Sequence, residues 1–467
     1  MQTALNHNRE LDFISHPSRL SSFFAAAAFA VLTILAPAQA QTLFEGARLI
    51  TGDGGVIENS AFVVTGNRIS QAGRKGEVPL PSGGKRVDLT GKTVMPALID
   101  AHVHMGYRKG LDFSTNNYTR ENLSDILERF AYYGVAAILE AGTARSELPY
   151  EFRANPPPGA LYLTAGRGFG MPNAGPGGPM RDSAYGVRTE AEARADVREL
   201  AGKKPNMVKI WVDDRGGTVE KLHPDLYRAI IDEAHKNNMR VFAHVMKLED
   251  VKDLLRTGID GFAHMVRDRD IDDEMIALVK ARPAVFFQQT LWGERLSFYT
   301  TRPAWLDEPI VRDTFSPEEI RLLGESFTKA ENPAARQAGE TNLRNIRKLK
   351  QAGARLVLGT DTGGVSGGQY FGLGSHIELE LLVTRGGLTP MEAILAGTRN
   401  SAAALALDRM GSIAAGKNAD FLVLDANPLD NISNTRKIDR VYLRGTEVPR
   451  AELAKQWRAK NEPQKAQ

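Results

Sequence analysis

The chain contains no cysteine. That excludes disulfide cross-links, thiolate nucleophiles and sulfur-ligated metal sites, so any bound metal must be held by His, Asp, Glu or a modified Lys. Histidine is scarce as well, nine in 467 residues. Charge of one sign is also lacking. The 59 Lys and Arg against 56 Asp and Glu leave a net +3, without a basic cluster, so nothing argues for a nucleic-acid partner. Long apolar runs are missing with one exception, "SRLSSFFAAAAFAVLTILAPAQAQ". It carries Arg19, an apolar stretch from Phe23 to Leu35, and Ala38-Gln39-Ala40 as an A-x-A site. This is the layout of a secretory signal peptide over residues 1–40, with cleavage before Gln41. The stretch is short for a membrane span. The expectation is therefore an exported protein, periplasmic or secreted, with no membrane attachment after cleavage.

What is present reads as a large globular protein, 42% hydrophobic and 25% charged. Residues 41–95 alternate short β-branched runs with Gly, Asp-Gly and Asn turns, as in "LFEGARLITGDGG" and "AFVVTGNRISQAG". The same texture returns over 411–447, in "GSIAAGKNADFLVLDANPL" and "RKIDRVYLRGTEV". Between them, over 96–410, apolar β-rich segments alternate with helical patterns. The segments are "VMPALIDAHVHM", "GVAAILEAGT", "ALYLTAGRG", "NMVKIWVDD", "RVFAHVM", "GIDGFAHMV", "PAVFFQQTLW" and "ARLVLGTDTGG". Eight β/α units make an α/β fold of the TIM (β/α)8 barrel type, with a small β-sandwich domain built from both chain ends. One helix start is explicit: Thr389 as N-cap, Pro390 in the first position and Glu392 closing a capping box. Residues 448–467 read as a polar C-terminal tail with a frayed end.

Four histidines fall at predicted strand ends. His102 and His104, two residues apart on one strand, project from the same face. His244 and His264 are 20 residues apart, with the helical "LEDVKDLLRTG" between them, so they can stand at equivalent positions on adjacent parallel strands. His7 and His16 fall in the signal region, and His223 and His235 read as surface residues. Asp361 in "VLGTDTGG" follows an apolar strand; beside four histidines it reads as a metal ligand that also accepts a proton from bound water. Lys209 lies among apolar neighbours in "MVKIWV". Either it keeps its charge by snorkelling or by pairing with Asp213 or Asp214, or burial strips its proton and leaves an amine able to add carbon dioxide.

Taken in order, His-x-His, Lys, His, His, Asp, with "DAHVHMG", "VKIWVDD", "FAHV", "GFAHM", "LGTDTGG" and the closing "GSIAAGKNADFLVLDANPL", resembles the amidohydrolase superfamily. The resemblance is to its binuclear members with a carboxylated lysine, in the imidazolonepropionase-like and prolidase-like group. It implies two divalent metals, zinc by ligand type. His102, His104 and Asp361 would hold one and His244 and His264 the other, with N6-carboxylysine at Lys209 bridging them. A hydroxide between the metals would attack an amide carbonyl, with Asp361 shuttling the proton to the leaving group. The group's frequent second histidine two positions after the fifth-strand ligand is here Met246.

The expected function is an exported metal-dependent amidohydrolase cleaving a C–N bond in a small peptide-like, N-acyl amino acid or cyclic substrate. Lactone or phosphotriester hydrolysis on the same site and mononuclear deamination stay open, and a non-catalytic binding protein is disfavoured by the complete ligand set. A homo-oligomer is compatible with this reading. Tyr107, Arg108, Arg267 and His376 are the candidate substrate contacts, since arginine pairs bidentately with carboxylates. The loop "GRGFGMPNAGPGGPM" reads as a lid over the barrel mouth.

Overall fold

The structure, a computed structural model, describes residues 41–328 and 332–461. The expected signal segment, with His7 and His16, lies outside the described residues. The eight apolar segments form parallel strands β1 (Leu98–Val103), β2 (Val135–Glu140), β3 (Leu161–Thr164), β4 (Val208–Val212), β5 (Val241–Val245), β6 (Gly261–Ala263), β7 (Phe286–Gln288) and β8 (Arg355–Val357). Their near-continuous Val, Ile, Leu and Ala content suits strands buried on both faces. Every residue of β1, β2 and β4 is buried.

Neighbouring strands pair from β1 to β3 and from β4 to β8. The ring is completed on both sides. Asn206 N–H donates to Thr164 O at 2.8 Å between the third and fourth strands. Ala101 N–H donates to Leu358 O at 3.0 Å, and His104 N–H to Thr362 O at 2.7 Å, between the last strand and the first. This is the TIM barrel with a small β domain expected from the sequence. Amphipathic helices cover its outside. The helix Leu248–Thr257, between β5 and β6, buries Val251, Leu254 and Leu255 and stops at Gly258, whose φ of +104° only glycine adopts freely. The capping box at Thr389 is formed, Thr389 Oγ1 accepting from Glu392 N–H at 3.2 Å and Glu392 Oε2 from Thr389 N–H at 2.7 Å.

The second domain packs a four-stranded sheet against a six-stranded one. In the latter, Phe421–Leu424 lies antiparallel to Thr93–Pro96, the strand that leads into β1. Phe44, Phe62, Phe421 and Tyr442 fill the space between the sheets, with ring centroids 4.7–5.2 Å apart.

One expectation needs correction. Of the C-terminal segment 448–467, residues Arg450–Asn461 are no tail but a helix against the barrel. Trp457 is 1% exposed, packs edge-on to Tyr132 at 5.4 Å and donates to Asp125 Oδ1 at 2.9 Å. Trp457, with Leu453 and Ala454 buried beside it, anchors this otherwise polar segment. Residues 462–467 lie outside the described residues.

Candidate metal centre

The carbonyl ends of the strands open into a cavity of about 330 Å³ lined by His104, Lys209, His244, His264 and Asp361. In barrels of this kind that end holds the chemistry, because side chains from several strand ends converge there. His102 lies beneath the cavity, fully buried. Its ring centroid is 5.3 Å from that of His104 and 5.1 Å from that of His264, and the His244 and His264 rings are 4.6 Å apart. Ligand atoms of His102, His264 and Asp361 lie within 4.8 Å of one another, close enough to share one ion. The structure thus groups His264 with His102 and Asp361, as well as beside His244.

Each inner imidazole is held from behind. His102 Nδ1 is 3.0 Å from Gln288 Oε1, whose amide nitrogen donates to Ala101 O at 2.6 Å. His104 Nδ1 meets Thr143 Oγ1 at 3.0 Å, and His264 Nδ1 meets Thr290 Oγ1 at 2.6 Å. His244 differs, its Nε2 lying 3.2 Å from Asp213 Oδ2. Asp361 Oδ1 is 3.1 Å from His104 Nε2 and 3.5 Å from His102 Nε2. His264 and Asp361 both have left-handed backbone, with φ of +69° and +57°. Such strain costs on the order of 1–3 kcal/mol per residue and persists where the fold aims a side chain for use.

Burial governs the electrostatics. It holds the His102 imidazole down to about 3, with Lys209 adding to the effect, and lowers His244 and His264 too, so these rings are neutral and available as ligands at pH 7. Burial pushes the Asp361 carboxyl up, but the His102 and His104 imidazoles beside it outweigh that and keep it well below the usual carboxylate range. Lys209 is fully buried, its Nζ 4.8 Å over the Phe242 ring and 5.3 Å over Trp211, and burial brings the amine from 10.5 to about 7. Gly142, with φ +89°, allows this packing; a Cβ there would stand 2.7 Å from Lys209 Cβ.

Two buried nitrogens, His102 Nε2 and Lys209 Nζ, have no hydrogen-bond partner. Orphaned nitrogens on the cavity side of four imidazoles and a carboxylate fit a divalent-metal site: these nitrogen and oxygen donors suit zinc, and each orphan is a donor atom awaiting a ligand. Asp213 and Asp214 do not pair with Lys209; they bond His244 and Lys247.

The four candidate substrate contacts do not line the cavity, for identifiable reasons. Tyr107 is fully buried and donates to Thr143 O at 2.8 Å. Arg108 stacks on Phe113 at 4.1 Å and donates to Gly364 O, bracing the loop after Asp361. Arg267 pairs with Glu294 at 2.6 Å. His376 is buried, its Nε2 2.7 Å from Tyr133 O, because the helix Leu373–Thr384 is packed on nearly every side, with most of its residues buried. Sequence reasoning missed Arg215 and Ser366, which do line the cavity, and Glu140, Thr143, Gln288 and Thr290, which stand behind the histidines. The signal for the last four was a polar residue closing an apolar strand, the same signal that flagged the histidines. The glycine-rich loop forms one wall through Pro176, Gly178 and Met180, and Arg167 ties it down at Ser183 O and Ala184 O, both at 3.0 Å.

A barrel whose strand ends converge histidines, an aspartate and a buried lysine on one cavity is the architecture of a metal-dependent hydrolase. Residues 93–448 match the amidohydrolase family, most of the chain, and the protein belongs to that family of enzymes, hydrolases acting on carbon–nitrogen bonds. Among curated relatives, ochratoxinase of Aspergillus niger is 26% identical over 446 residues, spanning 84% of this chain and 82% of the relative. Imidazolonepropionase of Streptomyces griseus is 24% identical, spanning 80% and 87%. Among solved structures, a putative prolidase from Bifidobacterium longum superposes with a TM-score of 0.70 at 27% identity, covering 90% of this chain and all of that one.

Proposed function

We propose that this protein is an exported amidohydrolase with two zinc ions that cleaves the amide of a small peptide-like, N-acyl amino acid or cyclic substrate. The observation that carries it is the convergence of His102, His104, Lys209, His244, His264 and Asp361 on one cavity. His102, His104 and Asp361 would hold one ion, His244 and His264 the second, and Lys209 as its carbamate would join them. A lysine amine near 7 is about half neutral at pH 7, and only the neutral amine adds carbon dioxide, releasing one proton as the N–C bond forms. The metals, when bound, lower the pKa of water toward about 7 and polarise the scissile carbonyl.

The rest is done by the chain. Asp361, ionised and aimed into the cavity, takes the proton of the attacking water and returns it to the leaving nitrogen. The loop with Pro176 and Met180, together with Trp211, forms part of the wall of the site. A cavity of about 330 Å³ admits a small ligand and excludes a folded polypeptide. The names of the ochratoxin-, imidazolone- and proline-directed relatives support an amide substrate, and the layout of residues 1–40 supports export. Among the described residues no helix is long and apolar enough to cross a membrane.

Plasma mass spectrometry of the purified protein tests this directly. About two zinc ions per chain are expected, falling in Lys209→Ala. Asp361→Asn is expected to lower kcat by about 10²–10⁴-fold on whichever member of a dipeptide, N-acyl amino acid, lactone and phosphotriester panel is cleaved. About one ion, unchanged in Lys209→Ala, would make the lysine structural and sink the carbamate bridge; turnover of lactones alone would sink the amide assignment.

A further inference from the structure

Glu140 closes β2 beneath the cavity, fully buried, and the function just proposed makes no use of it. Its carboxylate faces donors. Oε1 receives Thr143 Oγ1 at 2.6 Å and the Thr143 N–H, and Oε2 receives Thr164 Oγ1 at 2.8 Å. Thr164 Oγ1 itself accepts from Gly166 N–H at 2.8 Å, which leaves its hydroxyl proton for Glu140. Burial pushes the Glu140 carboxyl up, and the Thr143 and Thr164 donors and the His104 imidazole pull it partway back down. Three donors converging on two oxygens fit the carboxylate, which can only accept, and a threonine hydroxyl has one proton. Both hydroxyl protons therefore point at Glu140. Thr143 Oγ1 then has only lone pairs to offer its other neighbour, His104 Nδ1 at 3.0 Å. That ring nitrogen carries the proton, and His104 Nε2, facing Asp361 at 3.1 Å, carries the lone pair.

From this polarity we infer that Glu140 is a positioning residue of the metal centre, which acts through Thr143 to fix His104 as the Nδ1–H tautomer and so keeps Nε2 free to bind metal. The inference rests on the proposed role of His104 as a ligand. His102 and His264 are held differently, by a neutral amide oxygen and a neutral hydroxyl. Only at His104, among the inner imidazoles, does the chain of hydrogen bonds end on a carboxylate. Partners of this kind orient a ligating imidazole and raise its basicity, and losing one typically weakens metal binding about 10–100-fold. Glu140→Met keeps the length but offers no oxygen acceptor. The threonine proton is then released toward His104 Nδ1, and the ring proton moves to Nε2, where it blocks coordination.

The test uses the full chain in two forms. Zinc affinity is measured by competition with a chromophoric chelator for wild type, Glu140→Met, Thr143→Val, Thr143→Ser and the double variant Glu140→Met/Thr143→Val. The His104 tautomer is read in the metal-free protein by ¹⁵N spectroscopy of labelled histidine, assigned with His104→Asn. Expected are an Nδ1–H ring in wild type, an Nε2–H ring in Glu140→Met, and zinc binding about 10–100-fold weaker in Glu140→Met and Thr143→Val. Thr143→Ser, which keeps the hydroxyl, should restore most of the affinity. The double variant should bind no more weakly than Thr143→Val alone, since the relay can be broken only once. An Nε2–H ring in wild type, additive losses, or wild-type affinity in Thr143→Val would overturn the inference. Should wild type hold no zinc while its His104 is Nδ1–H, the ligand assignment falls and the relay itself stands, so the two failures are distinguishable. The spectroscopic arm needs only Glu140→Met, which is close in length, should the valine variant not fold.

Discussion

Replacing Lys209 by methionine separates what this side chain contributes to the site from what it costs the fold. The amine is buried without a hydrogen-bond partner, and burial brings its value from 10.5 to about 7. In the metal-free protein an unfolded chain takes up a proton at this position that the folded chain resists. Because the folded value is the lower one, the penalty is full below pH 7 and fades as pH rises from 7 toward 10.5. At pH 7 it amounts to about 4 kcal/mol. Methionine has similar length and no charge to desolvate, so chelated Lys209→Met should be more stable than chelated wild type by up to that amount. For a chain of this size, at roughly 2.1 cal/mol/K per residue, that is a rise in Tm of about 4–5 °C. The advantage should shrink between pH 7 and pH 10, while zinc loading at pH 7 collapses. Differential scanning calorimetry across that range, with metal analysis alongside, is the assay. A variant less stable than wild type, or an advantage that does not change with pH, would refute the reasoning.

Two further outcomes follow from groups remote from the metals. Burial holds His376 at about 3 against an ordinary 6.5. Its contribution to stability is thus complete above pH 6.5 and lost as pH falls through the window down to 3, about 3 kcal/mol by pH 4. Urea midpoints at pH 7 and pH 4 should show that slope flattened in His376→Phe, and an unchanged slope would contradict it. Trp457→Ala should cost about 3–5 kcal/mol in urea unfolding, because it empties a packed site and removes a hydrogen bond to Asp125; a loss below about 1 kcal/mol would mean that the C-terminal helix contributes little.

The barrel was legible because its strands are buried on both faces, and such strands show in one dimension as apolar runs between turn signals. "GVAAILEAGT" and "RVFAHVM" need no tertiary knowledge to be read as strands. The histidines were legible for a related reason: a polar side chain at the end of an apolar strand has few places to point. The same rule applied to Glu140 and Gln288 would have found the groups behind them. Tyr107, Arg108, Arg267 and His376 could not be sorted this way. Tyr107 and Arg267 sit four residues past a strand end, Arg108 in a two-residue strand and His376 on a helix, and the partner of each (Thr143 O, Gly364 O, Glu294, Tyr133 O) comes from a segment distant in sequence. Arg215 escaped notice because a turn after β4 carries no periodic signal. Trp457 sat in a polar stretch where three buried residues, Leu453, Ala454 and Trp457, make too short an apolar stripe to read.

The pairing of Leu422 with Met95 joins residues 327 positions apart, and this makes the protein's assembly a matter of timing. A ribosome adding about 5–20 residues per second needs roughly 15–65 s to deliver the second strand after the first has emerged. Throughout that interval Thr93–Pro96, paired with Arg48–Ile50 on one side, has its other edge open and able to pair with another chain. An export route that carries the chain unfolded and releases it whole would present both strands together.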